Sequence, residues 1–389
     1  MDPTSTRRNG SGMGVAAAGT LLIAATYGMA RFGVGLFAPY LAVDRPGLVG
    51  VLGWAAAAQF TSYSLAAALS IRWADHHPRR GLALAGATAT LGCVGIAAAT
   101  EPAAFIVSVL VAGLGGGFAS PALVPVLDAV VAPESAATAQ SVVNAGTAIG
   151  VIGAGLVAFT ASAIGPAWLF MALVCAAAWG AIWFHLRGRG DLRPAGPETG
   201  MSPTAPAGAW RALAVPGAAA VVTGVGSALT WTFGPLLVTT SGTVDPEWVG
   251  WLWIALGLGG FLGALAGRLV ERIGLRGAWC TCAGALALAS AGVAWSVGPG
   301  GAWVAYAAMA LFGAGYMGLT GVLILWARRA RPRHPGAGTS VLFIAVATGQ
   351  AAGSAGFGLV QGSANPVLLA AVAAGWCILG GLVALAGRR

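Results

Sequence analysis

Long apolar runs separated by short polar gaps dominate the pattern of this chain. A helix that crosses a bilayer needs about 20 apolar residues. The sequence predicts twelve such spans, first to twelfth, at 14–39, 47–71, 81–99, 103–127, 138–163, 166–186, 211–238, 247–269, 276–297, 301–327, 337–362 and 366–386. With 58% hydrophobic and 8% charged residues, the composition excludes a soluble globular protein. The expected fold class is therefore an all-α membrane protein.

The basic residues are all arginines, and nearly all of them lie in alternate gaps between the spans. These gaps and the two termini hold Arg7, Arg8, Arg72, Arg79, Arg80, Arg187, Arg189, Arg193, Arg211, Arg268, Arg272, Arg276, Arg328, Arg329, Arg331, Arg333, Arg388 and Arg389. The intervening gaps hold Asp44, Arg45, Glu101, Asp245 and Glu247. Because translocated loops are poor in Arg and Lys, the pattern predicts a multi-pass protein of the cytoplasmic (inner) membrane with both termini in the cytoplasm. The same sorting explains the net charge of +9 without a nucleic-acid partner.

A polar segment rich in Pro and Gly divides the chain into two halves of six spans. The predicted units are a cytoplasmic tail at 1–13, a bundle at 14–186, a linker at 187–210, a second bundle at 211–386 and a cytoplasmic end at 387–389. An even number of spans per half gives both halves the same orientation. The arrangement predicted is that of two parallel repeats related by an axis along the membrane normal.

Similar short motifs of arginine, glycine and proline recur in both halves, in the same order. Arg72-Trp-Ala-Asp75 with Arg80-Gly81 matches Arg268-Leu-Val-Glu271 with Arg276-Gly277. Gly150-Val-Ile-Gly153-Ala-Gly155 in the fifth span matches Gly353-Ser-Ala-Gly356-Phe-Gly358 in the eleventh, and Pro39 matches Pro235. These matches predict that the two halves arose by duplication of one six-span unit.

These features resemble the major facilitator superfamily of secondary transporters. The loop from Arg72 to Arg80 is similar to the signature between its second and third spans, and the echo from Gly267 to Gly274 keeps the glycines. The segment Gly28-Met-Ala-Arg31-Phe32 with Pro39 resembles the start of the YbfB/YjiJ-type branch. The resemblance implies a twelve-helix transporter that works by alternating access. It also implies gating roles at the cytoplasmic end for Asp75, Arg79, Arg80, Asp128, Glu271, Arg272 and Arg276.

Arg31 is the one charged residue well inside a predicted span. Arginine at the centre of a membrane helix is costly, and such residues usually face the bundle interior or a water-filled pathway. One hypothesis is that its five donors hold an acceptor-rich group of a substrate. The other is that it locks the first helix to carbonyls freed by glycines or Pro39, or to a buried amide such as Gln59. The sequence leaves both open.

Further polar and aromatic residues within the spans are candidates for the same site. They are Tyr27, Gln59, Tyr63, Asn144, Thr147, Ser227, Trp231, Tyr316 and Gln350. Each of them either binds a substrate or bonds to a neighbouring helix, because buried polar groups in lipid need partners. Together they predict a mixed polar and aromatic cavity between the halves.

No Asp or Glu lies within the core of a predicted span, so a cationic substrate has no fixed counter-charge. The expected activity is secondary active or facilitative transport of a small neutral or anionic organic molecule, by a monomer in the lipid bilayer without a cofactor. Proton coupling and the direction of transport stay open. An embedded enzyme would need a cluster of reactive side chains at one depth, which the spans lack. A sensor or binding protein of the same fold that does not transport stays an alternative.

Overall fold

The structure is a computed structural model that describes residues 3–73, 77–160, 163–189, 211–332 and 335–386. All regular secondary structure within these ranges is helical. The long helices after the first span are Leu52–Trp73, Pro78–Ala98, Pro102–Val130, Pro133–Thr160, Ile164–Leu186, Ala214–Thr240, Gly250–Gly260, Ala266–Trp295, Gly301–Ala330, Pro335–Val360 and Pro366–Ala386. Shorter 3₁₀ or π segments occupy Pro46–Val51, Pro246–Trp248, Phe261–Leu265 and Ser296–Gly300. The all-helical expectation is confirmed for the described part of the chain.

Nine segments of the described residues are long and apolar enough to cross a membrane. One of them, Pro246–Ala330, is 85 residues long and contains the predicted eighth, ninth and tenth spans. Gly274 at φ 75° and Gly301 at φ 69° interrupt the helices inside it, a conformation that glycine adopts at little steric cost. The helix Leu52–Trp73, which carries several polar residues, is not among the nine. A multi-pass membrane protein is supported, and the count of twelve spans stays a prediction.

The first span changes its helical form near the residues that the sequence singles out. It is α-helical over Pro3–Ile23, π-helical over Ala24–Arg31 and α-helical again over Gly33–Leu36 and Ala38–Asp44. Short π-helical turns are rare and often lie at functional sites. This one ends at Arg31.

Contacts between helix ends distinguish two ends of the bundle. At one end, Gly12 lies against the carbonyl of Val130, and Arg79 donates a hydrogen bond from Nη2 to the carbonyl of Leu186 at 3.1 Å. This side, where the predicted arginine-rich loops lie, is called the arginine-rich end. At the opposite end, exposed tryptophans typical of a membrane–water interface are Trp54, Trp248, Trp251, Trp295 and Trp303.

Asp44 and Arg45 fasten the end of the first span to two neighbouring helices at the opposite end. Arg45 donates hydrogen bonds to the carbonyls of Ile96 at 3.0 Å and Ala97 at 2.6 Å. These are among the last carbonyls of the third span, which have no partner within their own helix. Asp44 Oδ2 accepts a hydrogen bond of 2.7 Å from the backbone N–H of Ile164, the first residue of the helix Ile164–Leu186. The adjacent charges thus cap one helix end each.

Helices within each half cross closely at glycines. Gly28 of the first span packs directly against Gly150 of the fifth, and Gly224 of the seventh packs against Gly349 of the eleventh. The halves meet through three helix pairs, the second with the eleventh, the fifth with the eighth and the first with the seventh. This pairing places the first and seventh spans, and with them Arg31, at the interface between the halves.

Candidate functional site

Aromatic rings enclose Arg31, whose side chain is only 3% exposed. Its guanidinium carbon lies 3.8 Å from the ring centre of Tyr63, 4.7 Å from that of Tyr27, 4.9 Å from that of Phe32 and 5.3 Å from that of Phe60. A cation within about 6 Å of an aromatic face is attracted by the ring quadrupole. The rings therefore stabilise the buried charge, but their faces do not replace hydrogen-bond acceptors.

Arg31 makes no hydrogen bond or ion pair with any residue that the structure describes, and its Nε is fully buried without a partner. The structural hypothesis needs it to bind a freed carbonyl or Gln59. Gln59 instead donates from Nε2 to the carbonyl of Ala30 at 3.2 Å. The lock between the first and second spans is therefore made by Gln59, which leaves the Arg31 donors to another partner.

The second half contributes an aromatic group beside Phe32. The ring of Phe32 stacks on Trp231 with centres 4.0 Å apart and planes 13° apart. Trp231 meets Tyr316 edge to face at 5.1 Å. Tyr316 donates a hydrogen bond from its hydroxyl to Gln350 Oε1 at 3.2 Å, which fixes the phenol against the eleventh span.

A cavity of about 100 Å³ lies between the halves on the arginine-rich side of this aromatic group. It is lined by Ile23, Tyr27, Arg31, Phe32, Tyr63, Ser120, Asn144, Thr147, Tyr316, Met317, Thr320, Ile324, Phe343 and Val346. Arg31 is the only charged residue among these. Hydroxyl and amide groups share the wall with apolar side chains, so the cavity suits a molecule with one polar end.

The structure brings most of the predicted site residues together. Tyr27, Arg31, Tyr63, Asn144, Thr147 and Tyr316 line the cavity. Gln59 and Trp231 line a smaller void of about 10 Å³ that also touches Arg31 and Phe32. Ser227 and Gln350 belong to neither lining: Ser227 donates to the carbonyl of Gly224 at 2.9 Å, and Gln350 holds Tyr316 in place.

Several lining residues were missed by the sequence reasoning. Thr320 follows Tyr316 by four residues and so shares its helix face, a signal that could have found it. Phe32 adjoins Arg31 in the segment already singled out. Met317 and Phe343 carry no such signal, because an apolar side chain in an apolar span looks the same whether it faces lipid or a cavity.

Glycine pairs close the opposite end of the interface between the halves. A Cβ atom on Gly53, at the start of the second span, would lie 2.7 Å from Cα of Gly358 in the eleventh. A Cβ atom on Gly155 of the fifth span would lie 2.6 Å from the carbonyl oxygen of Gly250, where the eighth begins. The predicted duplication matches Gly155 with Gly358, which makes the two closures counterparts of each other in the two halves. Backbones touch here because neither partner carries a side chain.

A third close approach lies between these closures, where the first span meets the seventh. Pro235 has no N–H, so the carbonyl of Trp231, four residues earlier, loses its usual helical partner. Gly35 packs directly against this carbonyl oxygen, where any Cβ would overlap it. Gly35 itself lies four residues before Pro39, so the contact joins equivalent positions of the two halves. Access to Arg31 is thus blocked at the opposite end.

The residues expected to act as a gate at the arginine-rich end are only partly described. Asp75 lies outside the described residues. Arg79 donates hydrogen bonds to the carbonyls of Leu186 and Arg189. The other expected gate residues, Arg80, Asp128, Glu271, Arg272 and Arg276, are exposed or half-exposed at this end. Their gating role stays a prediction.

Several solved structures that are similar to this chain are structures of transporters. The chain is similar to a crystal structure of the nucleoside transporter NupG, at 14% identity and a TM-score of 0.74, with 97% of this chain and 100% of that chain covered. It is similar to the D-xylose-proton symporter at 13% identity and a TM-score of 0.75, covering 97% and 98%. It also matches the xylose transporter XylE from E. coli in an inward open conformation, at 14% identity and a TM-score of 0.74, covering 97% and 96%. Identities this low show the fold alone.

No curated protein sequence matches the chain. The family model described as Major Facilitator Superfamily matches residues 20–354. That match spans the described residues from the first span to the eleventh, including every residue that lines the cavity. The resemblance found in the sequence is confirmed at this level, while the YbfB/YjiJ-type branch stays a prediction. The chain belongs to the Major Facilitator Superfamily.

Proposed function

We propose that this protein moves a small neutral or anionic organic molecule across the cytoplasmic membrane by alternating access, as a secondary active or facilitative transporter. The observation that carries the proposal is the position of Arg31. It lies at the interface between the halves, buried and without a partner among the described residues, in a cavity that the glycine closures separate from the opposite end. A transport site must be reachable from one side at a time.

The proposed topology follows from the arginines. Twelve spans would place both termini and the arginine-rich end in the cytoplasm, with bundles at 14–186 and 211–386 joined by the linker at 187–210. The described conformation then has its cavity on the cytoplasmic side. Opening of the opposite end requires the glycine pairs to part, while the arginine-rich end closes through the predicted gate residues.

Transporters in the structural comparison support a small-molecule substrate. Their names give a nucleoside for one and D-xylose with protons for another. For this chain, the substrate-binding residues that we propose are those that line the cavity, with Arg31 as the fixed charge. Coupling to protons is compatible with a substrate that carries its own acidic group, because arginine itself does not release its proton at physiological pH.

Solute counterflow into proteoliposomes tests the function. Purified protein is reconstituted, loaded with a panel of unlabelled organic anions and neutral metabolites, and assayed for uptake of the same labelled compound. Uptake above that of protein-free liposomes, which saturates with concentration, is the expected result. A compound that raises the melting temperature of the protein by binding but is never exchanged would instead favour the non-transporting sensor.

A further inference from the structure

The cavity has a donor-rich part and an apolar part. Around Arg31 lie its guanidinium donors and the hydroxyls of Tyr27 and Tyr63, which bond to each other. Two hydroxyls that share one hydrogen bond keep one O–H available for a third group. Asn144 and Thr147 add further polar groups from the fifth span. This part of the cavity offers donors to an acceptor-rich head group.

The apolar part extends from there toward the arginine-rich end. From Tyr316 the tenth span presents Met317 and, two turns further on, Ile324 to the cavity. Eight residues of helix rise about 12 Å, which gives the reach of this wall. Phe343 and Val346 of the eleventh span and Ile23 of the first complete it. If the apolar body of a ligand packs along this wall, its length is therefore at most about 12 Å.

The charge of the lining selects the class of ligand. Arg31 cannot lose its proton, and its planar fork matches the two oxygens of a carboxylate. No acidic residue lines the cavity among the described residues, so a cationic ligand would meet the like charge of Arg31 and no counter-charge. A second negative charge on a ligand would find no second fixed cation in the lining.

A neutral polyol fits the lining less well than an anion does. Gln59 is absent from the lining of this cavity and donates its amide to the carbonyl of Ala30. The Gln350 amide is also absent from the lining, and its oxygen is engaged by the hydroxyl of Tyr316. A sugar or nucleoside would also leave the Arg31 guanidinium with weaker, uncharged acceptors. Hydrogen bonds between charged partners are roughly twice as strong as neutral ones.

We infer that the substrate is a small organic monoanion, a carboxylate on an apolar body of at most about 12 Å, which binds with its carboxylate on Arg31 and its body against Met317, Ile324, Phe343 and Val346. This inference rests on the proposed transport function and narrows its substrate class.

Titration calorimetry of the full-length purified protein tests the inference with matched probe pairs. Benzoate, 3-phenylpropionate and hexanoate are compared with benzamide, 3-phenylpropionamide and hexanamide, which have the same shapes without the charge. At least one carboxylate is expected to bind about tenfold or more tightly than its amide. Inorganic phosphate and chloride are expected to bind more weakly than that carboxylate, because neither contacts the apolar wall.

Variants locate the binding. Arg31→Gln should abolish the preference for carboxylate over amide, and Arg31→Lys should reduce it because a point charge replaces the fork. Arg211→Gln removes the same charge from an exposed position at the start of the second half and should bind as the unmodified protein does. If Arg31→Gln does not fold, the comparison of carboxylate with amide in the unmodified protein still decides the matter.

Three results would overturn the inference: amides that bind as well as their carboxylates, no binding of any carboxylate in the panel, or carboxylate binding that Arg31→Gln leaves unchanged. The two assays distinguish failure of this inference from failure of the proposed transport function. Exchange of a neutral solute in proteoliposomes without carboxylate binding would leave transport standing and remove the monoanion. Selective carboxylate binding without exchange of the bound compound would keep the ligand class and remove transport.

Discussion

Replacing Gly53 with alanine should shift the protein away from the conformation in which the opposite end is closed. A Cβ atom at this position would lie 2.6 Å from the carbonyl oxygen of Ser354 and 2.7 Å from Cα of Gly358. Non-bonded carbon atoms prefer about 3.5–4.0 Å, so the second and eleventh spans must separate locally by about 1 Å. Overpacking of this kind costs about 1–3 kcal/mol.

If the protein alternates between two conformations as proposed above, the cost falls on only one of them. When the opposite end opens, Gly53 and the eleventh span move apart and the added methyl group meets no backbone. A differential free energy of about 1–3 kcal/mol changes the ratio of the two conformations by about 5- to 150-fold. Gly155→Ala should act in the same direction, because Gly155 meets Gly250 in the equivalent closure.

Double electron–electron resonance, which measures the distance between two spin labels, provides the assay. Labels are placed at Glu101 and Glu247, which are exposed in different halves at the opposite end, in a background without the native cysteines. Short distances should dominate in the parent protein, and a longer-distance population should grow in Gly53→Ala. Gly356→Ala is the matched control, because it lies in the eleventh span and an added Cβ there meets nothing within 4 Å.

This prediction is wrong if Gly53→Ala gives the same distance distribution as Gly356→Ala while both variants unfold at the temperature of the parent protein. A uniform loss of thermal stability without a change in distances would also count against it, because the methyl group would then strain every conformation. Gly358→Ala approaches the same contact from the eleventh span and serves as a repeat of the test.

Three further predictions concern stability and access. Asp44→Ala removes the acceptor from the N–H of Ile164 and should lower the free energy of unfolding by about 1 kcal/mol. The measurement is thermal unfolding in detergent, and an unfolding temperature equal to that of the parent protein would contradict the capping role. Arg45→Met should cost about 1–2 kcal/mol in the same measurement, since the carbonyls at the end of the third span lose charged donors, and an equal or higher stability would show that water replaces them. Phe32→Ala should lower the free energy of unfolding by about 3–5 kcal/mol and join the cavity to the void beside Trp231, which Ala56 also lines. A thiol reagent added from the arginine-rich end should then reach an engineered cysteine at Ala56 faster than in the parent, and an unchanged labelling rate would mean that Phe32 does not separate the two spaces.

The sequence identified several residues around Arg31, but it predicted only some of their contacts. Tyr27 and Arg31 could be placed together because four residues along a helix return to one face, and the structure keeps them adjacent even though the helix is π-helical there. Gln59 was recognised as a buried amide near Arg31, yet its partner proved to be the carbonyl of Ala30. Trp231 was recognised as a candidate, but its stacking on Phe32 depends on how two distant helices dock.

The membrane environment, the helical class, the family and the charge within the first span could all be read from the sequence, because lipid imposes length, apolarity and charge sorting on every span separately. What surrounds Arg31 and where the path is closed became evident only from the packing of the helices. Gly53 and Gly250 look like any other glycines in a chain that has 62 of them, and Phe343 looks like any other lipid-facing side chain. Their roles depend on contacts between helices far apart in the chain, and local periodicity carries no information about such docking.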